Sequence, residues 1–358
     1  MSRASDFRSD TVTQPSEAMR RAMLAAEVGD DVLDGDPTVR RLEVAAADWL
    51  GKRHALFVPS GTMANQVALG AWTRPGDEVV VERDAHILRW EAGAMGANHG
   101  LQAVTLWGEF GVLDPEEVRS VIRAPYVHAP RTGLVCVEQT HMGAGGKVVP
   151  LEKLRALHAV TLELGVPLHM DGARLANAVV AAGISAERYA ACADSISLCF
   201  SKGLGAPVGS VVCADDDEWL EDARVVRKRL GGWMRQAGIL AAGCLYGLER
   251  NVQRLAEDHA LARALATVLY GMPGLDTVPE AVQTNIVRAD VLPDSGYDAP
   301  GLVRALAAEG VLVSNLEPTT LRFVTHMDVG PSDLERLEQA LEKLLGARAR
   351  QNSGGGLP

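Results

Sequence analysis

Val166-Pro167-Leu168-His169-Met170-Asp171-Gly172-Ala173-Arg174 and Ser197-Leu198-Cys199-Phe200-Ser201-Lys202-Gly203-Leu204-Gly205 decide the reading of this chain. Each is an apolar run short enough to be a buried strand. The first run ends in a carboxylate and the second in a lone lysine. A lysine at a buried strand end is poorly solvated, so its ammonium is disfavoured and its pKa is expected to fall. A neutral lysine amine can condense with an aldehyde. A carboxylate one or two strands away is the partner that a pyridinium nitrogen needs. Together the two segments predict a pyridoxal phosphate site.

Outward from these runs, strands and helices alternate. Strands are predicted at His54–Val58, Glu78–Val81, Gln102–Leu106, Leu134–Glu138, Pro167–Met170, Ser195–Phe200 and Gly209–Cys213. Helical stretches near 61–72, 115–122, 151–164 and 173–182 separate many of them. That order predicts an α/β fold, a mostly parallel sheet covered by helices on both faces. Gly209–Cys213 follows the lysine strand too closely for a helical crossover, so it is expected to be an antiparallel neighbour.

Two helices precede the first strand, one from Pro15 to about Ala26 and one from Asp36-Pro37 to Leu50-Gly51. Residues 215–270 read as nearly continuous helix, broken around Gly231-Gly232. Beyond them come a strand at Gln283–Arg288, a helix at 298–308, strands at Val311–Ser314 and Leu321–Thr325, and a helix at 331–345. The expected division is an N-terminal segment 1–13, a large cofactor-binding domain 14–246 and a small α+β domain 247–345. Residues 346–358 lack periodicity and are expected to be a disordered tail.

A length of 358 residues suits one large and one small domain. The 35 basic and 46 acidic residues leave a net charge of −11, which disfavours nucleic acid and anionic membranes as partners. No run approaches the roughly 18 apolar residues of a membrane helix. The start, Met1 to Arg8, lacks an apolar core, and a cytoplasmic protein is expected. The five cysteines include no C-x-x-C pair and read as buried reduced thiols.

Other residues carry chemistry. Pro59-Ser60-Gly61-Thr62 follows an apolar strand and opens a helix, whose first N–H groups suit a phosphate; the bland alternative is a serine-capped turn. An imidazole at His86 can stack on a pyridine ring. Arg174 lies three residues after Asp171 at a helix start, and Arg322 sits in the strand Leu321-Arg322-Phe323-Val324. A charge there is costly unless paired, and a bidentate grip on a substrate carboxylate would pair it. His169-x-Asp171 lacks a third ligand at useful spacing, so no metal site is assigned. The glycines from Gly203 to Gly209 lead into a strand, which excludes a dinucleotide fingerprint.

Several motifs in one order resemble the low-specificity L-threonine aldolases, within the fold-type-I pyridoxal phosphate enzymes. They are Arg8-Ser9-Asp10-Thr11-Val12-Thr13, Val28-Gly29-Asp30-Asp31-Val32, Phe57 to Asn65, His86-Ile87 with Glu91-Ala92-Gly93, His169 to Leu175, Ser201 to Ser210, Met234 to Leu240, and Val324-Thr325-His326. The resemblance spans roughly residues 7–345. It implies that Lys202 carries the cofactor, that Asp171 pairs with the pyridinium nitrogen and that His86 stacks on the ring. Gly61 and Thr62 would hold the phosphate. Ser9, Arg174 and Arg322 would bind the substrate carboxylate. Lys228 and Arg235 would reach the phosphate of a neighbouring subunit, because family active sites lie at a dimer interface. His128 matches a histidine near the substrate hydroxyl, and either His128 or His86 would take the hydroxyl proton.

The implied activity is cleavage of L-β-hydroxy-α-amino acids to glycine and an aldehyde, in a homotetramer. Rival readings are another reaction on the same cofactor (β-elimination, racemisation or transamination) or a non-catalytic cofactor-binding regulator. Three positions depart from the family pattern: Leu33 replaces a tyrosine, Met142 an asparagine and Trp233 a glycine. If they line the site, the added apolar surface favours bulkier β-substituents than methyl.

Overall fold

The computed structural model describes residues 3–123 and 126–346. Two compact units divide the chain. One runs from Gln14 to Gln253, and the other joins the residues up to Thr13 with those from Arg254 onward.

The first unit is built on a seven-stranded sheet. Its order is His54–Val58, Ser210–Ala214, Ser195–Cys199, Leu168–Gly172, Thr132–Glu138, Glu78–Glu82 and Gln102–Leu106. Neighbours are parallel except at Ser210–Ala214, which is antiparallel to both strands beside it. The loop from Phe200 to Gly209 is too short for a helical crossover, which leaves only a reversal. Every residue of the Thr132–Glu138, Leu168–Gly172 and Ser195–Cys199 strands is buried, as befits near-continuous apolar runs covered on both faces. The register sets Glu138 opposite Asp171 and Asp171 opposite Ser197. Polar side chains therefore gather at the carboxyl ends of the parallel strands, where ligands of such sheets bind.

His54–Val58 is the edge strand. The Phe57 N–H donates to Glu43 Oε1 at 2.8 Å, and Arg227 Nη1 donates to the Phe57 carbonyl at 2.9 Å. The acidic run at 215–218 caps a helix through Asp216 and also pins this strand's start. Lys52 pairs with Asp215 at 2.9 Å, and Asp217 receives Arg53 at 3.0 Å and His54 at 2.6 Å.

The first helix begins at Glu17, later than Pro15, because the Ser16 hydroxyl accepts the Met19 N–H and acts as the cap. The nearly continuous helix expected over 215–270 is broken around Gly231-Gly232, as expected, and again after Arg250, giving Asp217–Arg229, Gly238–Arg250 and Leu255–Tyr270. The wide gap between the first two has a tertiary cause. Asp36 Oδ2 accepts the N–H groups of both Gly29 and Gly238, and Trp233 Nε1 donates to Asp31 Oδ2 at 2.8 Å. The Gly238–Arg250 helix passes unbroken through residue 246, where the sequence reading ended the large domain, and the units part after Gln253.

The second unit carries a four-stranded antiparallel sheet in the order Ser314–Glu317, Thr320–Val324, Ile286–Val291, Leu275–Asp276. Its core packs Phe7 with Leu265, Val287, Leu302, Phe323 and Leu337. Phe7 arrives there because Ser5–Asp6 pairs in parallel with Val311–Leu312. The tail expected from 346 lies, past Gly346, outside the described residues. Among the described residues, no helix is long and apolar enough to cross a membrane. All five cysteines are buried thiols.

Candidate active site

Asp171 stands at the end of its strand, 3% exposed. Its Oδ1 accepts the Ala173 N–H at 3.0 Å and its Oδ2 accepts Asn65 Nδ2 at 2.8 Å. Burial alone would raise this carboxyl. The charges of His86 and Lys202, with the Asn65 amide, outweigh it and hold Asp171 below the ordinary carboxylate range. It is thus a buried anion stabilised by neighbouring cations and donors.

His86 opens the short helix His86–Arg89, and Glu138 Oε2 accepts its backbone N–H at 2.7 Å. Its Nδ1 lies 3.3 Å from Glu91 Oε1. Burial works against a charge on His86, but Glu91 and Asp171 raise its pKa above the ordinary value. Glu91 is raised in turn, by burial above all. One ligand-type atom from each of His86, Glu91 and Asp171 falls within 4.8 Å of the others. The two carboxylates are already joined through Asn65, whose Nδ2 gives 2.8 Å bonds to both.

Lys202 lies in the loop between the Ser195–Cys199 and Ser210–Ala214 strands, half-buried, with its carbonyl accepting the Gly205 N–H at 2.9 Å. The Phe200 N–H donates to Gly209, and the Gly209 N–H donates to Pro59, each at 3.0 Å. Gly209 has φ +115°, and a Cβ there would meet Cys244 Sγ at 2.3 Å, so only glycine fits. The Gly209–Pro59 hydrogen bond ties the lysine loop to the residue before Ser60-Gly61.

Gly61 and Thr62 begin the helix Gly61–Trp72, capped by the Ser60 hydroxyl on the Met63 N–H at 3.2 Å. The first N–H groups of a helix have no intrahelical acceptor. The Ser210 hydroxyl faces Gly61, 3.7 Å from where its Cβ would stand, and is buried without a hydrogen-bond partner. A phosphate would satisfy both sets of donors.

Pyridoxal phosphate asks a protein for an amine for its aldehyde, an anion for its ring nitrogen and donors for its phosphate. Lys202, the ionised Asp171 and the Gly61 helix start with Ser210 fit those needs.

The remaining predicted residues fall elsewhere. Arg174 is buried, at the cap position of the helix Leu175–Ala182 in the same unit. Ser9 and Arg322 belong to the second unit. Ser9 caps a short turn by accepting the Thr11 N–H at 3.2 Å, and Arg322 Nη2 donates to the Arg8 carbonyl at 3.0 Å. Arg235 holds Asp30 with both carboxylate oxygens at 3.1 Å, and Lys228 Nζ stands 5.9 Å from the Trp233 ring. Lys228 lines a cavity of about 650 Å³ with Leu33, Arg227 and Trp233. Met142 is not among the lining residues of that cavity; it is buried, and its N–H donates to Glu138 Oε1 at 2.9 Å. His128 is exposed, its ring edge-on to Tyr126 at 5.3 Å. It lies in the turn before the Thr132–Glu138 strand, whose other end meets Asp171.

Sequence reasoning gave no role to Asn65, Glu91, Glu138, Ser197 or Ser210. It also missed His141, which sits 3.0 Å from Glu82 and 4.0 Å from Glu138 behind His86. Burial opposes a charge on His141, but Glu138 and Glu82 raise its pKa above the ordinary value. The available signal was Asn65-Gln66, two polar residues inside an otherwise apolar helix face.

The beta-eliminating lyase family matches residues 6–291. Low-specificity L-threonine aldolase 1 of Arabidopsis thaliana is 41% identical over 336 residues, 93% of this chain and 94% of its own. The low specificity L-threonine aldolase of Escherichia coli K12 is 41% identical over 330 residues, 92% of this chain and 96% of its own. Among solved structures, Leishmania major threonine aldolase matches with a TM-score of 0.81 at 21% identity, covering 95% of this chain and 99% of that one. Sphingomonas wittichii serine palmitoyltransferase matches with a TM-score of 0.74 at 18% identity, covering 96% and 88%. At those identities the two structures establish the fold, that of the pyridoxal phosphate enzymes of type I. The identity to the plant and bacterial proteins extends over more than nine-tenths of every chain compared, so this chain belongs to the low-specificity L-threonine aldolase family.

Proposed function

We propose that the chain is a pyridoxal phosphate-dependent aldolase. It cleaves L-threonine, L-allo-threonine or related L-β-hydroxy-α-amino acids to glycine and an aldehyde, reversibly. The observation that carries this reading is the buried, ionised Asp171 beside Lys202 and His86 in a chain of this family.

When bound, the cofactor supplies an electron sink for the pair released as Cα–Cβ breaks. Asp171 keeps a proton on the ring nitrogen by staying ionised next to it. Lys202 would hold the cofactor's aldehyde through its Nζ, and when not so engaged that amine could carry a proton. Gly61 and Thr62 bind the phosphate, with Lys228 and Arg235 supplied across a subunit interface. Ser9, Arg174 and Arg322 fix the carboxylate, which sets the Cα–Cβ bond across the ring plane. His86 would stack on the ring, and His128 or His86 would take the β-hydroxyl proton. A homotetramer in the cytoplasm completes the reading.

The test is incubation with L-threonine and, in the synthetic direction, of glycine with a panel of aldehydes, products being resolved by stereochemistry. Glycine with acetaldehyde from L-threonine is expected. Ammonia and a keto acid instead would assign β-elimination and overturn the aldolase reading.

A further inference from the structure

A single run of polar contacts crosses the core behind the proposed cofactor site. Trp72 Nε1 lies 2.9 Å from Ser195 Oγ, and Ser195 Oγ lies 2.9 Å from His169 Nδ1. His169 Nε2 lies 3.2 Å from Asn65 Oδ1, and Asn65 Nδ2 reaches Asp171 and Glu91 at 2.8 Å each.

The direction of this run follows from its two ends. An indole N–H can only donate, so Ser195 accepts from Trp72. At the other end Asn65 Nδ2 faces two carboxylates, so its Oδ1 accepts from His169 Nε2, and Nδ1 of a neutral His169 takes the Ser195 hydrogen. A neutral imidazole that accepts at Nδ1 carries its proton on Nε2, and that proton points at Asn65 Oδ1. The Ser197 hydroxyl lies 3.2 Å from the same oxygen and 3.5 Å from Asp171 Oδ1, with one hydrogen for the two. Both amide hydrogens of Asn65 face carboxylates. The reverse orientation would set the amide oxygen against two carboxylate oxygens. His169 is fully buried, and burial drives its pKa down to about 4, which keeps it neutral.

We infer that Trp72, Ser195 and His169 fix the orientation of the Asn65 amide, and that Asn65 is the positioning residue that holds Asp171 and Glu91 together. Through Glu91 it also reaches His86, so one amide coordinates the ring-nitrogen partner with the stacking residue. The inference rests on the reading of Asp171 and His86 as cofactor residues.

Two measurements test it. In cofactor-free protein, ¹⁵N NMR of the histidines, assigned with His169→Gln, should show His169 protonated on Nε2 and bare on Nδ1 from pH 6 to 9. A proton on Nδ1 would overturn the relay. In the second, pyridoxal phosphate is titrated into Asn65→Ala and Asn65→Asp and its binding is followed by visible absorbance. Aspartate matches asparagine in shape but adds a third negative charge. It should bind the cofactor about tenfold more weakly than the alanine variant, within the 10–100-fold range of lost outer-shell support. A residue that merely fills space gives the opposite order, and that order would refute the role. Wild-type protein that binds no pyridoxal phosphate would sink the cofactor reading, while the NMR result would still decide the relay.

Discussion

The backbone N–H of Gly209 donates to the carbonyl of Pro59 at 3.0 Å, which joins the loop that carries Lys202 to the turn that opens the Gly61 helix. The amine for the cofactor's aldehyde and the donors for its phosphate are therefore set by one rigid connection. The connection depends on a residue without a side chain.

Gly209→Ala places a methyl 2.3 Å from Cys244 Sγ at φ +115°. Overpacking with backbone strain should cost about 2–4 kcal/mol. Chemical denaturation measures this, and cofactor affinity should fall with stability. A variant as stable as wild type would show that the loop can move without loss.

Lys202 should be the covalent site. Borohydride reduction of cofactor-loaded protein should fix the cofactor to one peptide, the one containing Lys202. Mass mapping to any other lysine would refute the assignment.

Asp171→Ala should lower turnover by roughly 10²-fold or more, the scale of losing a main electrostatic contribution. Spectroscopy should be run alongside to separate lost binding from lost chemistry. Near-wild-type turnover with the cofactor bound would contradict the role.

Arg322→Lys should raise KM for L-threonine strongly, because an ammonium cannot reproduce the planar bidentate fork. Steady-state kinetics with L-threonine as the varied substrate tests it. An unchanged KM would remove Arg322 from the carboxylate site.

His169 sets a pH dependence of stability. Its folded pKa, about 4, lies below its ordinary value of 6.5. A base depressed in this way stabilises the fold above 6.5, and that contribution is lost as pH falls towards 4, because only the unfolded chain takes up the proton. Wild type should therefore lose up to about 3 kcal/mol across that window relative to His169→Gln. Parallel denaturation curves of the two proteins at both ends would count against it.

Much of this was legible in the chain itself. Strand ends with a single charge, at Asp171 and Lys202, marked the carboxyl edge of the sheet because a charge is tolerated there and not in the apolar run before it. The short loop before Gly209 gave the antiparallel strand by length alone. The Asn65 network was not legible, because its partners lie from 26 to 132 residues away and only the fold brings them together. His128 was read from a local motif, and no local motif says at which end of a strand it will lie. Proline suits a first helical position, yet Ser16 offers a stronger cap one residue after Pro15, and the helix starts behind it.

The pairing of Glu43 and Arg227 with the backbone of Phe57 bears on how this protein behaves in a crowded solution. An edge strand with vacant N–H and C=O groups invites a strand from another molecule to add to the sheet. At Phe57 both groups are taken, one by the Glu43 carboxyl and one by the Arg227 guanidinium, so an incoming chain would have to displace both to register there. The sheet's opposite rim is Gln102–Leu106, with Gln102, Ala103 and Thr105 exposed. Edge-to-edge pairing is thereby discouraged at the Phe57 limit of the sheet.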